Sequence, residues 1–240
     1  MASLAVALAG CSAGAMHPLK PGSSAADLSP PPVGAAALTA GYLPDPARMM
    51  ADKRYPFEQS WVQPGVNFKS YSEVVLAPIS LEHLVPLEPG KPGDPAPDNR
   101  TPAVDAAISA GEAFSRAVHA DPARRLAVVA HPGAKTIVVA MAIVALVPSH
   151  LDTPETALGL ATAAASASSA LQRDANLNGR GSIGMEMELR DGRSNQVIAI
   201  FADSRRAKTP AGNGQLSSGY GFANQIVGEW MRQTVAMLNS

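Results

Sequence analysis

The strictest hydrophobic–polar pattern in the chain lies at residues 183–190, where Ile183, Met185, Met187 and Leu189 alternate with Gly184, Glu186, Glu188 and Arg190. A period of two predicts a strand with one apolar and one polar face. Asp191 and Gly192 open a turn, and Val197, Ala199 and Phe201, or Ile198 and Ile200, continue as a return strand. The pattern predicts a hairpin whose polar face, with Glu186 and Glu188 side by side, meets water. Residues 136–147 (TIVVAMAIVALV) are apolar throughout after the first position and stop at Pro148. They are rich in β-branched residues and too short to cross a bilayer as a helix, so they predict a central strand covered on both faces. Apolar runs at 71–78 and 126–130 predict two shorter strands.

Helical spacing marks two further segments. Thr101 is suited to an N-cap and Pro102 to the first helical position. Val104, Ala107, Ile108, Gly111, Phe114 and Val118 then recur on one predicted face before Asp121 and Pro122 end the helix. A last helix is predicted over 220–238, with Phe222, Ile226, Trp230, Thr234 and Leu238 along one side. The Ala/Ser-rich residues 154–172 also predict a helix, whose small side chains suit an interface or a membrane-facing surface. Residues 41–61, with Tyr55, Phe57 and Trp61, read as an irregular arm, and the proline-rich 86–97 as a long loop. The order of elements predicts an α/β fold of the α+β type: an antiparallel-rich sheet with a C-terminal hairpin, flanked by helices on one face.

Composition sharpens this picture at the N-terminus. Hydrophobic residues make up 46% of the 240, enough for a core, but aromatics only 5%. The 20 glycines and 21 prolines cluster in segments that read as linkers. A formal net charge of -1 with no block of like charge argues against a nucleic-acid partner. Cys11 is the only cysteine, so no internal disulfide supports the fold. It follows Leu8, Ala9 and Gly10, a tetrad similar to a lipobox, in which signal peptidase II cleaves before a cysteine whose thiol has been acylated. The layout expected is a lipoprotein signal peptide at 1–10, lacking the usual basic front and so truncated at its start, a lipid-anchored flexible tether at 11–40, and a single α+β domain at 41–240. Two acyl chains give durable anchoring, since each buried methylene contributes roughly 0.8 kcal/mol. Ser12 after the cysteine resembles the enteric sorting signal for the outer membrane.

Candidate chemistry is sparse. The five histidines share no metal-ligand spacing, and His119 near a helix end reads as a capping cation. No metal and no cofactor are expected. Residues 179–184 spell G-x-G-x-x-G but lead into a strand, whereas a dinucleotide fingerprint opens a helix. Glu186 and Glu188 read as solvated surface. Asp203, Arg205 and Arg206 form the most distinctive polar cluster. Asp203 and Arg205 share a strand face and can pair, while Arg206 points the other way. The pair reads as a strand-end salt bridge, with an anion or partner contact as its alternative.

Four stretches resemble the bacterial lipoproteins grouped as domain of unknown function 3313. They are Gly41-Tyr42-Leu43-Pro44-Asp45 with the Trp61 segment, the run from Tyr71 to Pro78, the hairpin from Gly184 to Gly192 followed by Ala202-Asp203-Ser204-Arg205-Arg206, and the Trp230 helix. The turn Asp191-Gly192-Arg193-Ser194-Asn195 departs from the longer turn of the family pattern. The resemblance implies a cell-envelope lipoprotein domain and no established activity. The functional expectation is a lipid-anchored binding or structural accessory domain that docks on another envelope protein or on itself, on the periplasmic face of the outer membrane. The alternatives are an envelope hydrolase using Glu186, Glu188 or Asp203, and a small-molecule-binding lipoprotein.

Overall fold

The computed structural model describes residues 41–149, apart from 88, 90–92, 94 and 123–124, together with 181–208 and 219–240. The alternating and apolar runs become a six-stranded sheet. Its strands are β1 (Gln59–Val62), β2 (Glu73–Leu76), β3 (Ala127–Val128), β4 (Thr136–Val147), β5 (Ser182–Asp191) and β6 (Val197–Arg206), in the order β1-β6-β5-β4-β2-β3. The pairs β1–β6, β6–β5 and β5–β4 are antiparallel, while β2 runs parallel to β4 and β3. Two α-helices, α1 (Arg100–Ala120) and α2 (Phe222–Asn239), and two short 3-10 helices at Pro46–Arg48 and Phe68–Ser70 complete the described fold. The expected antiparallel-rich α+β architecture is therefore observed.

Register assigns the faces. Met141, Met187 and Phe201 lie opposite one another across β4, β5 and β6, as do Ile143, Met185 and Asp203. Residues directly opposed in an antiparallel pair share a face. This face packs with Phe114 and Val118 of α1 and with Trp230, Val235 and Leu238 of α2 in one buried cluster. The other face carries Ala142, Glu186 and Ala202 on one rung.

All five residues expected on the apolar side of α2, from Phe222 to Leu238, are buried. For α1 the expected face is only partly right. Phe114 and Val118 are buried, but Val104 is 43% and Ile108 59% exposed, and the helix turns Ala103, Ala106, Ala110 and Ala113 inward instead. Small side chains let the helix approach its neighbours closely, as at Gly228 of α2, where an added Cβ would lie 3.9 Å from the Ala113 methyl. The start of α1 also moves. The helix opens at Arg100, because the Asp98 carboxylate accepts the amides of Arg100 and Thr101 at 2.9 and 3.3 Å. Asn99 stands in the N-cap position but spends its side chain on the carbonyls of Val85 and Leu146.

Two more expectations are corrected. Trp61 belongs to edge strand β1, not to an irregular arm, because β6 offers its backbone to residues 59–62. The hairpin has no wet face at its centre, since Glu186 is fully buried and Glu188 is 7% exposed. Backbone amides of Tyr42 and Leu43 meet Glu186 on this face, as described below. The Ala/Ser-rich 154–172 lie outside the described residues.

Candidate functional site

The chemistry-bearing side chains divide between the two sheet faces. On the helix face, β6 presents Asp203 (3% exposed) and Arg205 two residues apart, hence on the same side. Asp203 Oδ2 accepts the Trp230 indole N–H at 2.7 Å and Arg205 Nε at 2.8 Å, and Oδ1 accepts the Ser204 amide at 3.0 Å. Arg205 also donates to Gln233 Oε1 at 2.7 Å and the Pro56 carbonyl at 3.3 Å, pairs with Glu229 at 3.3 Å, and lies 5.6 Å from the Trp230 ring. Burial pushes the Asp203 carboxyl above its ordinary range, while Arg205, the indole and the Ser204 amide pull it back. These contacts clamp β6 to α2 and to the segment before β1. Arg206 is exposed on the other side of β6, opposite Ser182, as its alternation with Arg205 along the strand leads one to expect.

A surface groove of about 500 Å³ runs past this clamp, lined in part by Tyr55, Phe57, Glu58, Asp203 and Arg205. The rings of Tyr55 and Phe57 along it stand 5.7 and 5.0 Å from that of Phe201. Glu58 went unnoticed in the sequence, where nothing in its spacing ties it to Asp203. Solvent reaches Glu58, yet its carboxyl is pushed up to about 7, first by desolvation and then by the Asp203 charge, against Arg205, Arg206 and the Ser204 amide. The unfolded chain holds Glu58 near its ordinary 4.5. Between those values the folded state retains a proton that the unfolded state has lost, so Glu58 makes stability fall as pH rises from about 4.5 to about 7. Urea melts of wild type and Glu58→Gln across that window should show a shallower fall in the variant. Parallel pH profiles would refute the assignment.

On the opposite face, Glu186 Oε2 accepts the amides of Tyr42 and Leu43 at 3.2 and 3.1 Å. Glu188 receives Arg190 through two nitrogens, at 2.7 and 3.1 Å, and Arg190 also reaches the Asn195 carbonyl. The Tyr42 hydroxyl is pushed up to about 12, chiefly by burial and then by the Glu188 charge. Glu186 and Glu188 thus share a face, whereas Asp203 is on the other, and the three carboxylates do not converge on one pocket. At the hairpin end, Tyr71 donates to Asp191 Oδ2 at 2.9 Å and Asp191 Oδ1 gathers the amides of Arg193 and Ser194, holding that carboxyl below its usual range.

His119 Nδ1 lies 2.7 Å from the Ser115 carbonyl in the last turn of α1. Of the glycine-rich 179–184 segment, the described residues from Ser182 onward are in strand β5. Among the described residues no cluster of three or more His, Cys, Asp or Glu side chains could hold a metal ion, and no helix is long and apolar enough to cross a membrane. Leu8, Ala9, Gly10 and Cys11 lie outside the described residues.

Among solved structures, the PelC dodecamer from Paraburkholderia phytofirmans is similar at 11% identity, covering 75% of this chain and 95% of that one with a TM-score of 0.39. The hypothetical protein CT253 from Chlamydia trachomatis follows at 12% identity, 70% and 98% coverage and a TM-score of 0.38. Protein XCC0632 from Xanthomonas campestris, of the DUF330 family, gives 14% identity, 73% and 88% coverage and a TM-score of 0.36. No curated protein matches the chain. Residues 50–234, well over half of the sequence, match the family described as protein of unknown function (DUF3313), and the chain belongs to that family.

Proposed function

We propose that the chain is a lipid-anchored cell-envelope lipoprotein whose domain serves as a binding or structural accessory module, docking on another envelope component or on a second copy of itself. The observation that carries the reading is the position of the only cysteine. Cys11 follows Leu8-Ala9-Gly10 and precedes a Pro/Gly/Ser-rich stretch, which in turn precedes a folded domain. A thiol beside small residues suits acylation and cleavage, and a spacer of that composition suits a domain held at a distance from its anchor. Ser12 favours the periplasmic face of the outer membrane.

The accessory role is supported by what the candidate polar groups do. Asp203, Arg205, Glu186 and Glu188 are all engaged by other parts of the same chain. The alternative, a hydrolase using Glu186, Glu188 or Asp203, draws less support, because the sheet places Asp203 on the face opposite Glu186 and Glu188. Crosslinking in the native host, followed by mass spectrometry of the captured proteins, tests the docking half. Recovery of one envelope assembly with wild type, and its loss in Cys11→Ala, is the expected result. Equal recovery with both proteins would overturn the dependence on an anchor, and recovery of no partner and no self-crosslink would overturn docking.

A further inference from the structure

We infer that residues 41–50 form a strap latched by Glu186 into a trough in the sheet, so that whatever precedes residue 41 joins the domain at interior strand β5 and not at edge strand β1. The trough is built from small side chains. Glu186 lies between Ala142 of β4 and Ala202 of β6, all three fully buried, and the next rung places Gly184 between Ala145 and Ser204. Bulky residues at these positions would hold a covering backbone away from the sheet. Alanine and glycine admit it, and the carboxylate meets the two consecutive amides it brings, those of Tyr42 and Leu43. Buried amides need acceptors, and one carboxylate oxygen supplies both here.

Side chains seat the same segment. Leu43 is 4% exposed, and the Tyr42 ring stands edge-on to His83 at 5.8 Å. Gly41, just before the latched amides, has φ +86°, a conformation that L side chains rarely adopt. The far end is held separately: Met50 and Ser60 exchange backbone hydrogen bonds at 3.1 and 2.9 Å, and Arg48 lies over the Trp61 ring at 5.1 Å. The strap therefore has two independent holds, one on β5 and one on β1. Opening the first alone frees about seven residues, or roughly 24 Å of extended chain, and bares the trough while β1 stays paired. For a domain tethered through its N-terminus, that is a latch between a short and a long reach. This use of the strap rests on the anchored reading above, whereas the latch itself rests on the fold.

Amide hydrogen exchange on the full chain tests it. In Glu186→Ala, Tyr42 and Leu43 should exchange at least about tenfold faster, the equivalent of one lost net hydrogen bond, while Met50, Ser60 and the β5–β6 amides keep their protection. Glu186→Gln keeps the volume and an acceptor oxygen, and should give a smaller acceleration at the same two amides. Unchanged protection of Tyr42 and Leu43 in a folded variant would overturn the latch, as would a rise spread evenly over Tyr42, Leu43 and the β5–β6 amides. If Glu186→Ala does not fold, the glutamine variant decides. Acylation is scored separately at Cys11, so a protein that takes no lipid yet shows this exchange pattern keeps the latch and loses the tether.

Discussion

Replacing Trp230 by alanine should lower the unfolding free energy by about 4 kcal/mol, the cost typical of emptying a fully buried aromatic site. Trp230 has no exposed surface and lies in the cluster between α2 and the sheet. Its indole N–H also donates to Asp203, itself 3% exposed. The alanine variant therefore combines a cavity with the loss of one hydrogen bond to a buried carboxylate, which Arg205 and the Ser204 amide still contact. Trp230→Phe separates the two effects. It keeps most of the ring, loses the donor, and should cost about 1–2 kcal/mol. Urea melts read both, with the midpoint shifted and the slope retained. A loss below about 1 kcal/mol for alanine would mean that α2 is not seated on the sheet as described.

Gly192→Ala should cost about 2–3 kcal/mol, in the range of overpacking, for a different reason. A Cβ at this position would stand 2.8 Å from the carbonyl oxygens of both Gly133 and Thr136 and 2.9 Å from the Thr136 Cβ. Two of these obstacles are backbone, so no rotamer change relieves them. The Gly192 amide donates to the Thr136 carbonyl at 2.8 Å, extending the β4–β5 ladder past Ile137 and Asp191. Thr136 is itself fixed, since its hydroxyl donates to Glu73 at 2.6 Å and accepts the Gly133 amide at 2.8 Å. A neutral substitution, measured by thermal melting, would show that the hairpin turn does not pack against the start of β4.

The long strands β4 and β5 were legible because they carry unambiguous patterns, whereas the four residues of β1, QSWV, carry none. The unbroken apolar run of β4 has the length and β-branched content of a strand covered on both sides, and it is one. The period of two in β5 named its helix-facing residues correctly. Where reading failed, the missing information lay far away in sequence. Glu186 looks like surface because alternation marks a polar face, and the amides that meet it in the interior come from 143 and 144 residues earlier. Val104 and Ile108 outrank their alanine neighbours in hydrophobicity, but close approach selects small side chains over apolar ones at the contact. Of the candidate site, the pairing of Asp203 with Arg205 followed from their spacing on one strand. Glu58, Gln233 and Trp230, which complete their surroundings, come from other elements and leave no local signal.

Metabolic labelling with a fatty-acid analogue tests the proposed anchor at Cys11 most directly. The full-length protein and Cys11→Ala would be expressed from the native locus, labelled, purified and compared. Label on the wild type and none on Cys11→Ala is the result expected of a lipoprotein. Equal labelling of the two, or an unlabelled wild type, would contradict the account and leave a DUF3313 domain whose single cysteine serves some other end.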